Sequence, residues 1–223
     1  MLKNFLKKMV GAPDERDTFY PSELGDPVAM QTDWTPATSG GTTFRTHKLV
    51  ESNPDQLEFR ASTGLKLFYL IFLVVGVGAL IAFFCIISFG GRQVNWGTLC
   101  LLGVGITFPT AGARLLYIRT APIVFDRRRG FFWIGRKNPE HVFNKGTLKH
   151  FAELEQIHAL QLISKLVVTG SQLDYSRYFS YELNLVLEDG KRINVLSQGD
   201  QDSLREDAET LAAFLDKPIW DAT

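Results

Sequence analysis

The feature that most constrains this chain is an uncharged apolar run from Leu67 to Phe89, followed after a short connector by a second apolar run from Gly97 to Ile118. As a helix the first run extends about 34 Å, enough to cross a hydrocarbon layer of about 30 Å. Lipid offers no partner to backbone N–H and C=O groups, so a spanning segment of this length must be helical. The second run has the same reach but contains Pro109 and Arg114. The connector, Gly90 to Trp96, is short, so the two helices are expected as an antiparallel transmembrane hairpin over 65–118.

Flanking charge orients the hairpin. Lys48, Arg60 and Lys66 precede it, and Arg119, Arg127, Arg128, Arg129, Arg136 and Lys137 follow it, against Arg92 alone in the connector. The positive-inside rule then puts both termini in the cytoplasm, which implies a two-pass protein of a bacterial inner membrane. Tyr69, Trp96 and Tyr117 fall at the expected interfaces. Arg114, about one turn from the cytoplasmic end, is expected to snorkel to the headgroups. Pro109 is expected to kink its helix or face the partner helix. Gly76, Gly78, Ala82, Gly103 and Gly105 would permit close helix packing. Cys85 and Cys100 lack the spacing of a zinc site or redox pair and read as small packing residues.

Over the whole chain the composition is that of an ordinary soluble protein, with 24 basic and 24 acidic side chains and no net charge. That balance argues against a nucleic-acid partner. Residues 1–10 form a basic amphipathic pattern, with Leu2, Phe5, Leu6 and Met9 on one face and Lys3, Lys7 and Lys8 between them, suited to an anionic membrane surface or to the chain's own domain. Residues 11–43, rich in Pro, Gly, Asp, Ser and Thr, read as a linker. Short strands are expected within 44–62, around the turn Ser52-Asn53-Pro54-Asp55.

Residues 121–223 are the one segment expected to form a globular core. Ile123-Val124-Phe125 and Phe131 to Ile134 flank an arginine turn as a hairpin. Ile157 to Thr169 reads as a long strand. Tyr178 to Leu187 alternates, with Tyr181, Leu183, Leu185 and Leu187 on one face and Glu182 and Asn184 on the other. Glu188-Asp189-Gly190-Lys191 turns the chain into a partner strand at Ile193 to Leu196. A final helix is expected to begin at a Ser203/Glu206 capping box and to bury Leu204, Ala208, Leu211, Ala212 and Leu215. Its acids Glu206, Asp207 and Glu209 read as surface. Pro218 stops it, and Ile219-Trp220 folds back.

Antiparallel strands closed by one amphipathic helix follow the order of a pleckstrin-homology-like (PH-like) barrel, an α+β fold. Over residues 65 to 220 the chain resembles bacterial membrane proteins that carry a two-helix hairpin before a PH-like domain. Its layout is also similar to the photosystem I assembly factors of chloroplasts and cyanobacteria, through Phe125-Asp126-Arg127 and Phe214-Leu215-Asp216-Lys217-Pro218-Ile219. The resemblance implies assembly or scaffolding without catalysis. Nothing in the chain reads as pigment-binding, so the photosynthetic role is not carried over.

A search for chemistry finds none. His47, His141, His150 and His158 have no metal-ligand spacing, and His150 and His158 with Glu153 and Glu155 read as a solvated face. No phosphate loop or nucleophile elbow is present, so neither enzyme activity nor a metal or cofactor is expected. The most suggestive cluster is basic. Arg127, Arg128 and Arg129 with Arg136 and Lys137, set close to the membrane exit, would contact anionic headgroups or a partner, or only enforce topology. The expected function is a non-enzymatic membrane scaffold or accessory subunit whose PH-like domain binds a protein partner or larger membrane complex. An anionic-lipid-responsive regulator and a membrane immunity protein against a toxin are the alternatives. The partner and the oligomeric state are not legible.

Overall fold

The computed structural model describes residues 19–89, 94–136, 139, 150–171 and 174–223. In chain order the elements are α1 (Pro27–Gln31), β1 (His47–Asn53), β2 (Gln56–Ala61), α2 (Thr63–Phe89), α3 (Trp96–Arg119), β3 (Ile123–Asp126), β4 (Phe131–Ile134), β5 (Phe151–Glu153), β6 (Ile157–Ser171), β7 (Asp174–Leu187), β8 (Arg192–Gln198), α4 (Gln201–Leu215) and β9 (Ile219–Ala222). One sheet has the order β1-β2-β3-β4-β5 and the other β8-β7-β6-β9.

The two helices expected from the apolar runs are present. They run Thr63–Phe89 and Trp96–Arg119 and are long and apolar enough to cross a membrane. Each packs on the other and buries little else, only Leu65 and Gly76 on α2 and Thr98, Gly105 and Gly112 on α3. A β-carbon on Gly76 would lie 2.1 Å from Pro109 Cδ, so the proline faces its partner helix and sits against bare backbone. Gly105 likewise meets Leu80, and Gly112 meets Phe72. Gly78 and Gly103, expected at the interface, face open space instead. Cys85 and Cys100 are exposed rather than packed. Asn95 caps α3, its side chain accepting from the Thr98 N–H while the Thr98 hydroxyl accepts from Asn95 N–H.

The sheets do not respect the boundary drawn at residue 121. β2 pairs with β3 in antiparallel register, Gln56 opposite Asp126 and Phe59 opposite Ile123, so strands on both sides of the hairpin share one sheet. The cause is burial. Leu57 and Phe59 point into the same core as Phe125, whose ring lies 6.4 Å from that of Phe59. The 44–62 strands are therefore part of the core and not a separate unit. That core runs on through Phe132, Leu160, Leu162, Leu183 and Leu185.

α4 lays Leu204, Ala208, Leu211 and Ala212 over it. The helix starts one turn earlier than the Ser203/Glu206 reading: Asp200 is the N-cap and accepts from the Ser203 N–H and hydroxyl. It ends at Asp216 in the left-handed conformation. Ile219-Trp220 returns as β9, which pairs with β6 in parallel, the one parallel pairing among the described strands.

Candidate functional site

β6 and β7 carry two faces. Leu160, Leu162, Leu183 and Leu185 face the core, while Gln161, Lys165, Ser180, Glu182 and Asn184 lie on the opposite face. The alternation suggests that this second face is wet. It is instead buried, and Gln161, Ser180, Glu182 and Asn184 are all fully covered. The cover is the N-terminal arm, residues 19–46, which lies across the sheet where a linker was expected.

Each contact satisfies a group that burial would otherwise strand. The Glu182 carboxylate accepts from the Ala37 N–H at 2.8 Å, the Thr38 N–H at 3.1 Å, the Thr38 hydroxyl at 2.5 Å and Lys165 Nζ at 2.8 Å. Lys165 also donates to the Thr38 carbonyl at 2.7 Å. Gln161 donates to the Asp33 carbonyl, and Arg192 to the Thr35 carbonyl and the Asp33 carboxylate. Burial pushes the Glu182 carboxyl up, but the hydrogen bonds from Lys165, Thr38 and Ala37 and the charge on Lys165 outweigh it and hold the group below its ordinary value.

Toward the start of the arm, α1 is capped by Asp26, whose carboxylate also lies 2.7 Å from His158 Nε2. His158 was read as solvated; it anchors α1 instead. Ala29 on α1 packs with Ala159, Val186 and Trp220 in a second, smaller core. Trp34 lies between Phe19 and Trp220, with ring centroids 4.4 and 5.8 Å away, and donates to the Ala29 carbonyl. Two glycines permit the close approach: a β-carbon on Gly41 would fall 2.4 Å from Ser180 Cβ, and one on Gly199 2.3 Å from the Thr43 backbone. Arg45 then pairs with Asp207 at 2.8 Å. Asp207, read as surface, is buried, and that burial raises its pKa against the opposing pull of Arg45.

The arginine turn does not sit where the sequence suggested. β3 leaves the hairpin at Ile123 and reaches Asp126 at its other end, opposite Gln56. Arg127 to Arg129 therefore occupy the end of the sheet remote from the helices. Two of the three are engaged within the chain. Arg127 donates to the Phe214 carbonyl and lies 4.3 Å over the Phe214 ring, and Arg129 pairs with Asp126 at 2.8 Å. Arg128 is exposed. Arg136 is at the near end, donating to the Tyr117 carbonyl and to the Thr120 hydroxyl at 2.9 Å. Lys137, His141 and the amphipathic pattern Leu2, Lys3, Phe5, Leu6, Lys7, Lys8 and Met9 lie outside the described residues.

At that near end the sheet is clamped to the hairpin. The His47 ring hydrogen-bonds the Arg119 backbone and the Thr46 hydroxyl, and burial pushes its pKa down to about 4 despite the Arg119 contact. Beside the clamp opens a groove of about 400 Å³ lined by Thr63, Lys66, Leu67, Leu70, Leu116 and Thr120. A second hollow of about 380 Å³ follows along α2, lined by Leu73, Val74, Val77, Gly78 and Ile81.

The chain matches no family model, no curated protein and no solved structure. Among the described residues no group of three or more His, Cys, Asp or Glu is placed to hold a metal ion. The buried ion pair Lys165–Glu182 has its hydrogen-bonding capacity taken up by the arm, which makes it a fastening. The sequence signal for it was a lysine inside the apolar strand Ile157 to Thr169 together with an acid seventeen positions later on the neighbouring strand.

Proposed function

We propose that this chain is a non-enzymatic scaffold held in a membrane by the α2–α3 hairpin, its two sheets forming a PH-like platform for a protein partner. The observation that carries the reading is the combination of two apolar helices left unburied with a sheet that closes directly across their ends. Leu67, Ile71, Val74, Ile81 and Phe84 are all more than half exposed, a surface that water does not tolerate on a folded monomer but lipid does. The β2–β3 pairing supports both flanks lying on one side of the bilayer, and the surplus of basic residues on them favours the cytoplasmic side. A platform clamped at its base by β2–β3 pairing and by His47 has a fixed orientation to the membrane, which is what positioning a partner requires.

Exposed apolar surface for a partner exists on the β6–β7 ribbon. Leu166 and Val168, 48% and 58% exposed, continue the core-facing side of β6 beyond the point where β9 stops pairing. The lipid-responsive reading through Arg127 to Arg129 draws little support from a turn at the remote end of the sheet. The test is extraction followed by complex analysis. The chain should resist alkaline carbonate and need detergent to stay monodisperse. In mild detergent it should elute in a stoichiometric complex that Leu166→Glu with Val168→Glu dissociates. A chain monodisperse in plain buffer refutes the anchor. A chain that always elutes alone from its native membrane refutes the scaffold.

A further inference from the structure

From the two hollows along α2 we infer that the hairpin holds one anionic phospholipid, its phosphate at Lys66 and one acyl chain along α2; this rests on the reading that the hairpin is embedded in a bilayer. The groove at the cytoplasmic base is segregated by chemistry. Its lining combines Thr63, Lys66 and Thr120, at the sheet-proximal ends of α2 and α3, with Leu67, Leu70 and Leu116, and those first three serve as its rim in this assignment. Lys66 is exposed, and the Arg136 guanidinium rests on the Thr120 hydroxyl at 2.9 Å, so a second cation stands at the same rim. No acidic residue occurs between Glu58 and Asp126, which leaves the rim without a competing carboxylate on either helix.

The second hollow continues the first. Its lining residues and the α2 residues of the groove fall within an arc of about 140° on the helix at about 100° per residue, one stripe facing away from the Gly76–Pro109 contact. From Lys66 to Ile81 that stripe runs about 22 Å, longer than the roughly 15 Å depth of one hydrocarbon leaflet. Its floor is cut at Gly78, where a β-carbon would meet nothing within 4 Å. A bare notch on the outer face of an apolar helix serves no helix contact. It does make room for a methylene chain. Headgroup charge, apolar lining and length thus agree on a single occupant.

The test uses the full-length chain in mild detergent, equilibrated with mixed micelles of equal phosphatidylglycerol and phosphatidylcholine, with retained lipid measured by mass spectrometry after gel filtration. The chain should retain phosphatidylglycerol in preference. Lys66→Gln should lower that retention about fivefold, the factor one basic group near an anionic headgroup supplies, and leave phosphatidylcholine unchanged. Gly78→Leu, whose β-carbon meets nothing within 4 Å, should lower retention of both lipids with an unaltered elution profile. Equal retention of the two lipids, or no effect of Lys66→Gln, overturns the assignment. So does displacement of phosphatidylglycerol by inorganic phosphate, which would make the rim a free-anion site. Failure of the membrane reading shows separately, as a chain that stays in solution before any detergent or lipid is added.

Discussion

Replacing Glu182 by glutamine should free the N-terminal arm. The substitution keeps the shape of the side chain and removes its charge. Lys165, 8% exposed, then keeps its bond to the Thr38 carbonyl but loses the carboxylate paired with it. Breaking a buried pair by removing one partner costs about 3–5 kcal/mol, most of it the penalty of leaving the other charge dry. The amide also presents one acceptor oxygen where two carboxylate oxygens served the Ala37 and Thr38 N–H groups and the Thr38 hydroxyl. The cheapest relief is local: lifting residues 33–43 lets water reach Lys165 while the core under α4 stays closed. A cost of about 3 kcal/mol corresponds to a rise of about a hundredfold in the open population. Chymotrypsin reads that population at Trp34, which is held between Phe19 and Trp220 when the arm is seated. Cleavage after Trp34 should accelerate by about that factor, and amide exchange at Ala37 and Thr38 should follow it. Glu188→Gln, an exposed acid on the next turn, serves as control. Adding Lys165→Met to the Glu182 variant should restore part of the protection, since the stranded charge is gone. If Glu182→Gln is cleaved no faster than the parent, the fastening role of the pair is refuted. The same carboxylate gives an acid limit. Its folded pKa lies below the ordinary value of 4.5, so its stabilisation is present above that pH and is lost as pH falls through the folded value.

His47 sets a second pH dependence, of the same sense but in a higher window. The unfolded imidazole takes a proton below about pH 6.5 and the folded one only near 4, so stability is full above 6.5 and declines toward 4 by up to about 3 kcal/mol. Thermal melts in detergent across that range should show the decline, and His47→Gln should flatten it. Gly76→Ala forces a β-carbon against Pro109 and should cost about 1–3 kcal/mol in detergent melts, whereas Gly78→Ala, facing open space, should be near neutral. Gln198 is fully buried and neither of its amide atoms finds a partner among the described residues, so Gln198→Met should raise stability by about 1–2 kcal/mol. The fragment 121–223 should aggregate, because it leaves β3 without β2. Residues 19–62 joined to 121–223 by a short Gly-Ser loop should be soluble and show strand-rich circular dichroism, since Phe59 and Ile123 are direct partners.

The two helices were legible because each run stays predominantly apolar over a length sufficient to cross a membrane. The α4 stripe and the β6–β8 strands were legible for a similar reason, each pattern recording which side chains leave water. What the sequence withheld were contacts between distant positions. Alternation at Glu182 and Asn184 shows two faces but not what covers the polar one, and the cover comes from Ala37 and Thr38, more than 140 positions away. The arm read as a linker because its order comes from the sheet beneath it and not from any period of its own. β2 looked separate because the hairpin lies between it and β3. Asp200 lost to Ser203 as the expected cap because both residue types suit the position and only the backbone decides.

The ladder between β2 and β3 also restricts how the hairpin moves. α2 begins two residues after β2 ends, and α3 ends four residues before β3 begins. Sliding α2 along α3 by about 3.4 Å would slip β2 by one residue against β3 and turn Phe59 out of the core while β4 holds Phe125 in place. In the membrane proposed above, the pair would tilt as one body when the bilayer thins or thickens, while piston motion of one helix past the other is locked by the sheet.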